Sequence, residues 1–306
     1  MISICVGSIR SGTVGFLIDS IRRQPFGDWE LIVVAQGNDQ ILLDEIEQRS
    51  RADARIRLIQ SHEFGRSRAL NAAIRVAQGD ILAFTDDDCE VADDWLSLLA
   101  RRFAERPDVG IMAGDLIPNP APRARISTCP AAHTIEHVYQ PSREGGAAPL
   151  GFYWCGGNVA ARADTMRTVG PYDDFLGVGS EYPSCEDVDL ALRAEELDIT
   201  VWTSPALRIY HTYGRRHGLQ AFLRHHRGYA LGQGALLAKL RMWGHRLAAP
   251  WGAPTSRLQL VRKTVREPRQ VVNFYSQQFR EQAVRSCAAK YELGPGRLLR
   301  PRAVAS

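Results

Sequence analysis

The chain has 306 residues, 45% of them hydrophobic and 24% charged, enough to bury a core of its own and too apolar for a disordered tether. No run approaches the roughly 20 apolar residues of a membrane span and no basic, apolar leader opens the chain, so a cytoplasmic protein is expected rather than an integral membrane one. The net charge of +4 conceals an asymmetry, because residues 1–207 hold 19 Lys and Arg against 31 Asp and Glu, whereas 208–306 hold 19 against 3.

Short apolar runs alternate with helix-period segments through the first half, the pattern of βαβ units around a mostly parallel sheet. Ile2–Val6, Leu31–Ala35, Ile56–Gln60 and Ile81–Thr85 are expected strands, and their lack of polar alternation suits burial on both faces. Val14, Leu17, Ile18 and Ile21 form one helical stripe, and Ala69, Leu70, Ala73, Ile74 and Ala77 another. Gly79-Asp80 stops the second stripe and leads into the strand that ends in Asp86-Asp87-Asp88. In open α/β sheets ligands bind at that end of the strands. Pro118 to Gly151, rich in Pro, Gly, Ala and Arg, is expected to be a long loop acting as a mobile flap. From Gly214 onward the periodicity is helical, with Pro250 and Pro254 as breaks and a fraying tail after Gly294.

Three successive carboxylates repel one another and are most easily tolerated beside a cation. In an extended segment Asp86 and Asp88 project to one side and share a hard divalent ion, Mn2+ or Mg2+, while Asp87 points away. An EF-hand is excluded, since counting from Asp86 puts Val91 and Ser97 where its glycine and terminal glutamate belong. A second acidic group, Glu186-Asp187-x-Asp189, opens a helical stripe of Leu190, Leu192, Ala194 and Leu197, where carboxylates also favour the helix dipole. His211 follows two strand-like runs, Ile199–Thr203 and Ala206–Tyr210. The six cysteines have no zinc-type spacing and are expected as free thiols.

The ordered set Phe84-Thr-Asp-Asp-Asp88, Trp95, Gly156-Gly-Asn158, Val169-Gly-Pro-Tyr-Asp173, Glu186-Asp-Val-Asp-Leu190 with Arg193, Pro205 and His211 resembles the family 2 glycosyltransferases from Ser3 to about His211. The resemblance implies a glycosyltransferase A fold, a single nucleotide-binding α/β domain over 1–213, followed here by a helical, basic extension over 214–306. It implies that Asp86, Asp88 and His211 hold the metal, that Asp187 is the catalytic base with Glu186 as its companion acid, and that Gly156, Gly157 and Asn158 line the donor and acceptor pocket. Trp154 and Tyr153 are candidate platforms for acceptor sugars. The usual aspartate after the second strand is absent here; Gln36 stands in its place, with Asp39 nearby, and its amide offers donor and acceptor to a base. Arg66 and Arg68, in the segment 65–71, and Asp87 complete the expected nucleotide contacts, with solvated arginines at a helix start as the plainer alternative.

The expected donor is a UDP, dTDP or GDP sugar and the expected acceptor a glycan or lipid-linked glycan of cell-surface polysaccharide or glycoconjugate synthesis. An anionic membrane surface on its inner face is a further expected partner of the basic tail, with its Phe222, Tyr229, Trp243 and Trp251. Two other classes compete. A sugar-phosphate nucleotidyltransferase needs a glycine-rich phosphate loop, faintly echoed by Gly7-Ser-Ile-Arg10-Ser-Gly12, and a nucleic-acid-binding module lacks any recognisable motif.

Overall fold

The computed structural model describes residues 1–120, 126–146, 154–248 and 271–303. Among these, nine strands form one sheet: β1 (Ile2–Ser8), β2 (Trp29–Gln36), β3 (Ile56–Ser61), β4 (Ile81–Phe84), β5 (Glu90–Val91), β6 (Ile111–Pro118), β8 (His137–Tyr139), β9 (Val159–Arg162) and β10 (Val201–His211), in the order β3-β2-β1-β4-β9-β6-β10-β5 with β8 also on β10. β3, β2, β1 and β4 are mutually parallel, as are β6 and β10, while β9, β5 and β8 enter antiparallel. The expected mixed α/β fold with a mostly parallel sheet is therefore present.

The pleat sorts the core into two layers. Ile4 and Val6 of β1 and Leu31, Val33 and Ala35 of β2 pack with α1 (Val14–Arg22), α2 (Gln40–Ala52) and α4 (Trp95–Glu105). Cys5, Ile32 and Val34, one residue out of phase, pack with α3 (Arg66–Val76), α5 (Ala163–Val169) and α6 (Glu186–Glu196). Every residue of β2 is buried, which is why its sequence shows no polar alternation. The two strand-like runs near His211 are one strand, β10, with a register irregularity between Ser204 and Arg208 that absorbs Pro205.

The segment expected as a flap is only partly loop. β7 (Ser127–Thr128) pairs with β11 (Arg216–His217), β8 joins β10, and Glu136 accepts hydrogen bonds from Trp202 Nε1 at 2.7 Å and Ser204 Oγ at 2.6 Å. These bonds pin the described part of the segment to the sheet instead of leaving it free; residues 121–125 and 147–153, with Tyr153, lie outside the described residues, as do Pro250, Trp251 and Pro254.

The C-terminal part carries one correction, at its tail. α7 (Leu219–Trp243) is one 25-residue helix that runs through Gly228, Gly232 and Gly234, although each helical glycine costs about 1 kcal/mol against alanine. The reason is close approach. A Cβ at position 232 would lie 2.1 Å from Ser184 Oγ, and one at 234 would lie 2.3 Å from the Arg280 carbonyl oxygen of α8 (Val271–Lys290). The tail does not fray at Gly294, because β12 (Tyr291–Leu293) and β13 (Leu299–Pro301) form a hairpin and Leu299 N donates to Asp173 Oδ2 at 2.8 Å.

Beneath α7 lies a buried charge network. Lys239 Nζ stands 2.6 Å from Asp173 Oδ2 and 2.5 Å from Asp189 Oδ1, and Arg193 Nε donates to Asp189 Oδ2 at 3.0 Å. All four side chains are essentially inaccessible. The basic extension is thus keyed into the helix that begins at Glu186. Among the described residues no helix is long and apolar enough to cross a membrane.

Candidate active site

A cavity of about 420 Å³ opens at the C-terminal ends of the parallel strands. Its wall includes Gln36 at the end of β2, Asp86, Asp87 and Asp88 after β4, His211 at the end of β10, Glu186 and Asp187 at the start of α6, and Tyr229 and Gln233 of α7. The acids near 86, the acids near 186 and His211 therefore face one space, as the resemblance requires.

The triplet itself is not extended. β4 ends at Phe84, and Asp86 to Cys89 form a turn in which Cys89 N donates to the Asp86 carbonyl at 3.3 Å. Strand alternation does not apply there, and each acid has a partner of its own. Asp86 Oδ1 accepts from Arg66 Nε at 2.8 Å. Asp87 does not point away; it is buried and accepts from Ser8 Oγ at 2.6 Å, and burial pushes its carboxyl up to about 6 against that hydrogen bond. Asp88 meets His211 Nε2 at 3.1 Å through Oδ1 and Arg10 Nη2 at 3.1 Å through Oδ2. Burial alone would raise the Asp88 carboxyl, but the hydrogen bond and charge of His211, with Arg10 and Arg216, hold it below its ordinary value. His211 is raised reciprocally, since Asp88 outweighs the burial that would lower it.

Arg66 joins the two acidic groups. It is largely buried, not solvated, and besides Asp86 it donates to Glu186 Oε1 at 3.3 Å and to the Gly156 carbonyl at 2.7 Å. Asp187 Oδ2 accepts from Gly156 N at 2.9 Å and its Oδ1 from Val188 N at 2.8 Å, which fixes the carboxylate at the cavity wall. Burial, then the neighbouring Asp187 charge, push Glu186 up, with Arg66 opposing. The glycine pair is there for space. A Cβ at 156 would lie 3.0 Å from Arg66 Nη1 and one at 157 would lie 2.9 Å from Asp86 Oδ2. Cys185, just before α6, holds a left-handed φ of 71° with α7 against its neighbour Ser184.

Other expected residues sit elsewhere or act differently. Gln36 spends its amide nitrogen on the carbonyls of Glu63 at 2.6 Å and Gly65 at 3.0 Å, so it shapes the loop before α3 and has no donor left for a base. Asp39 caps α2 through Leu42 N and tethers Ser11 N, outside the cavity wall. Arg68 turns back to the Phe64 carbonyl and does not line the cavity. Asn158 is fully buried behind the wall, bonded to Asp115 O, Leu207 O and Trp95 Nε1. Trp154 does line it. Sequence reasoning did not place Ser8, Arg10, Arg216, Tyr229 and Gln233 at this site; Ser8 and Arg10 carried a signal as part of the faint glycine-flanked loop, and Tyr229 stood out only as an aromatic of the basic tail.

Asp88, Cys89 and His211 offer ligand atoms within 4.8 Å of one another, all buried. His211 Nδ1 lies 3.0 Å from the Pro130 carbonyl, which leaves Nε2 as the ligand atom. The Cys89 thiol is pushed far up by burial and by the charges of Asp86 and Asp88, so a hard cation would draw on Asp88 and His211. Together they offer a divalent cation one oxygen and one nitrogen ligand.

Residues 9–164 match the family described as Glycosyl transferase family 2, 156 of the 306 residues, and the chain belongs to that family. It is a glycosyltransferase by family. A glucosyl-dolichyl phosphate glucuronosyltransferase of Haloferax volcanii is 20% identical over 58% of this chain and 57% of its own length. The chain spans less still, 11% to 38%, of the other curated relatives it matches. The fold is shared with the mannosyltransferase PcManGT of Pyrobaculum calidifontis, solved with GDP-Man and Mn2+, at 15% identity, TM-score 0.58 and coverage of 94% of this chain and 85% of that one. It is shared as well with residues 1-349 of S. aureus TarS, solved with UDP-GlcNAc, at 14% identity, TM-score 0.56 and coverage of 98% and 96%.

Proposed function

We propose that the protein is an inverting, metal-dependent glycosyltransferase that moves one sugar from a nucleotide-diphosphate sugar to a hydroxyl of a glycan or lipid-linked acceptor. The observation that carries this reading is the bridge made by Arg66, which ties Asp86 to Glu186 in a cavity that Asp88, His211 and Asp187 also line. Asp88 and His211 would hold the divalent ion, Mn2+ or Mg2+, in the cavity that Asp86 also lines. When bound, the ion supplies charge stabilisation for the departing nucleoside diphosphate.

Asp187 is the base. It takes the acceptor hydroxyl proton as the new bond to the anomeric carbon forms and the bond to the diphosphate breaks, and this single displacement inverts the centre. Its two backbone hydrogen bonds hold the carboxylate in place for that transfer. Arg66 stands where it can meet negative charge on the donor. The nucleotide is of the UDP, dTDP or GDP type, in keeping with the GDP-Man and UDP-GlcNAc of the two fold relatives. The 19 cations against 3 acids in 208–306 favour work at an anionic membrane surface on a surface polysaccharide or glycoconjugate.

Release of nucleoside diphosphate from a panel of nucleotide sugars, with Mn2+, with Mg2+ and with chelator, tests the reading. Slow release from one nucleotide class, abolished by chelator, is expected. Asp187→Asn should bind that donor with unchanged Kd yet turn it over about 10²- to 10⁴-fold more slowly. Normal turnover in Asp187→Asn, or pyrophosphate release from a nucleoside triphosphate and a sugar phosphate, would sink it.

A further inference from the structure

Beyond the segment matching the family, the cavity is lined by residues around Glu186 and Asp187, by His211 and Arg216, and by one turn of α7. Tyr229 and Gln233 of α7 line it together with Trp154 and Asp187. They are four residues apart and therefore project from the same face of the helix one turn apart. On the glycines interleaved with them, Gly228 faces Pro183 at 3.5 Å and Gly232 faces Ser184 at 2.1 Å from an ideal Cβ, so α7 is drawn against the loop that leads into Glu186 and Asp187. Ser184 Oγ donates to the Tyr229 carbonyl at 3.3 Å, which locks that approach. The orientation of both side chains is set from outside. His225, one turn earlier, lies 4.4 Å from the Tyr229 ring. Arg280 of α8 donates to Gln233 Oε1 at 2.6 Å, which leaves the amide nitrogen as the group available to a ligand. Tyr229 is nonetheless 40% exposed.

An aromatic ring and an amide donor beside the carboxylate that accepts a hydroxyl proton match a pyranose, whose C–H face stacks on a ring while its hydroxyls pair with polar groups. We infer that Tyr229 and Gln233 form an acceptor subsite for a sugar ring, which makes the C-terminal helix, rather than the sheet, the part that selects the acceptor. The inference rests on the glycosyl-transfer reading and deepens it. Tyr229 acts through its ring face. Burial and the nearby Cys155, Asp187 and Glu186 raise its hydroxyl, so it stays neutral.

The probe is a panel of p-nitrophenyl pyranosides given with Mn2+ and whichever nucleotide sugar the protein hydrolyses. Wild type should transfer to at least one of them. For that glycoside, Tyr229→Ala should raise the acceptor KM about tenfold while the donor Kd, measured by calorimetry, moves less than about twofold; Tyr229→Phe keeps the ring and should stay within about threefold of wild type. Gln233→Ala should change the order of preference within the panel. An unchanged acceptor KM in Tyr229→Ala, or a wild type that hydrolyses donor but glycosylates none of the panel, overturns the subsite. Absence of donor binding and hydrolysis altogether would fail the glycosyl-transfer reading instead, a distinct outcome.

Discussion

Two groups of three carboxylates, Asp86 to Asp88 and Glu186 to Asp189, contribute to one region of the molecule and are neutralised in opposite ways. At the first, each acid lies at the cavity and meets a partner that a ligand or ion can displace: Arg66, the Ser8 hydroxyl, or His211 with Arg10. At the second, Glu186 and Asp187 face the cavity, but Asp189 turns inward to Lys239 and Arg193 with no solvent access at all. The lesson is that an acidic motif is read by its counter-charges. Groups that must bind something are left with exchangeable partners, and groups that hold the scaffold are given permanent ones.

The comparison breaks most visibly at Lys239. Lys239→Met leaves Asp173 buried without a cation and Asp189 with Arg193 alone, and is expected to cost about 3–5 kcal/mol in urea or guanidinium unfolding. A loss below about 1 kcal/mol would mean that the network is not the permanent one described. Gly214→Ala tests the other cluster. Its methyl would fall 1.8 Å from His211 Nε2, so the imidazole must leave Asp88, and the Mn2+ concentration needed for donor turnover should rise about 10- to 100-fold, roughly 1.4–2.7 kcal/mol. Unaltered Mn2+ dependence would remove His211 from the ion.

A carboxylate at the far end of the sheet sharpens the contrast with pH. Glu30 begins β2; burial would raise it, but Ser3 Oγ, Gln78 N and Arg57 prevail and hold its folded value below the ordinary one. A depressed carboxyl contributes stability that is full above the unfolded value, about 4.3, and is lost as pH falls through the folded value. Glu30→Gln should therefore cost about 1–2 kcal/mol at pH 7 and flatten the acid limb of the stability profile below about pH 5. Equal stability loss at pH 7 and pH 3 would contradict this.

How much of this was legible follows from range. The four named strands and two helical stripes were readable because the core-facing period is local: Ile4, Val6, Leu17 and Ile18 announce their burial within a few residues. The acids and His211 were readable as a set, and they share a cavity. What failed depends on partners far along the chain. Alternation predicted that Asp87 points away from the side Asp86 and Asp88 share, but a turn closed by Cys89 sets all three at the cavity. The closeness that the glycines of α7 allow shows only when Ser184 and Arg280 are seen against them, and nothing near Lys239 announces carboxylates 50 and 66 residues away.

The smallest effect is expected where the same two elements meet in water. Glu196 ends α6 as Asp189 begins it, and it too pairs with the C-terminal region: Arg297 Nη2 lies 3.1 Å from Glu196 Oε1, and Trp243 Nε1 donates to the same oxygen at 3.1 Å. The Arg297 guanidinium also lies over the Trp243 ring, 5.3 Å from its centroid. By geometry alone this pair rivals Lys239. Its side chains are 45% and 40% exposed, however, so water and salt already satisfy both charges when they separate. Arg297→Ala should cost no more than about 0.5 kcal/mol at low salt, and the difference from wild type should vanish near 0.5 M NaCl, about one Debye length of 4 Å. If Arg297→Ala instead rivalled Lys239→Met, contact geometry rather than burial would set the worth of these pairs, and the division between exchangeable and permanent partners would lose its basis.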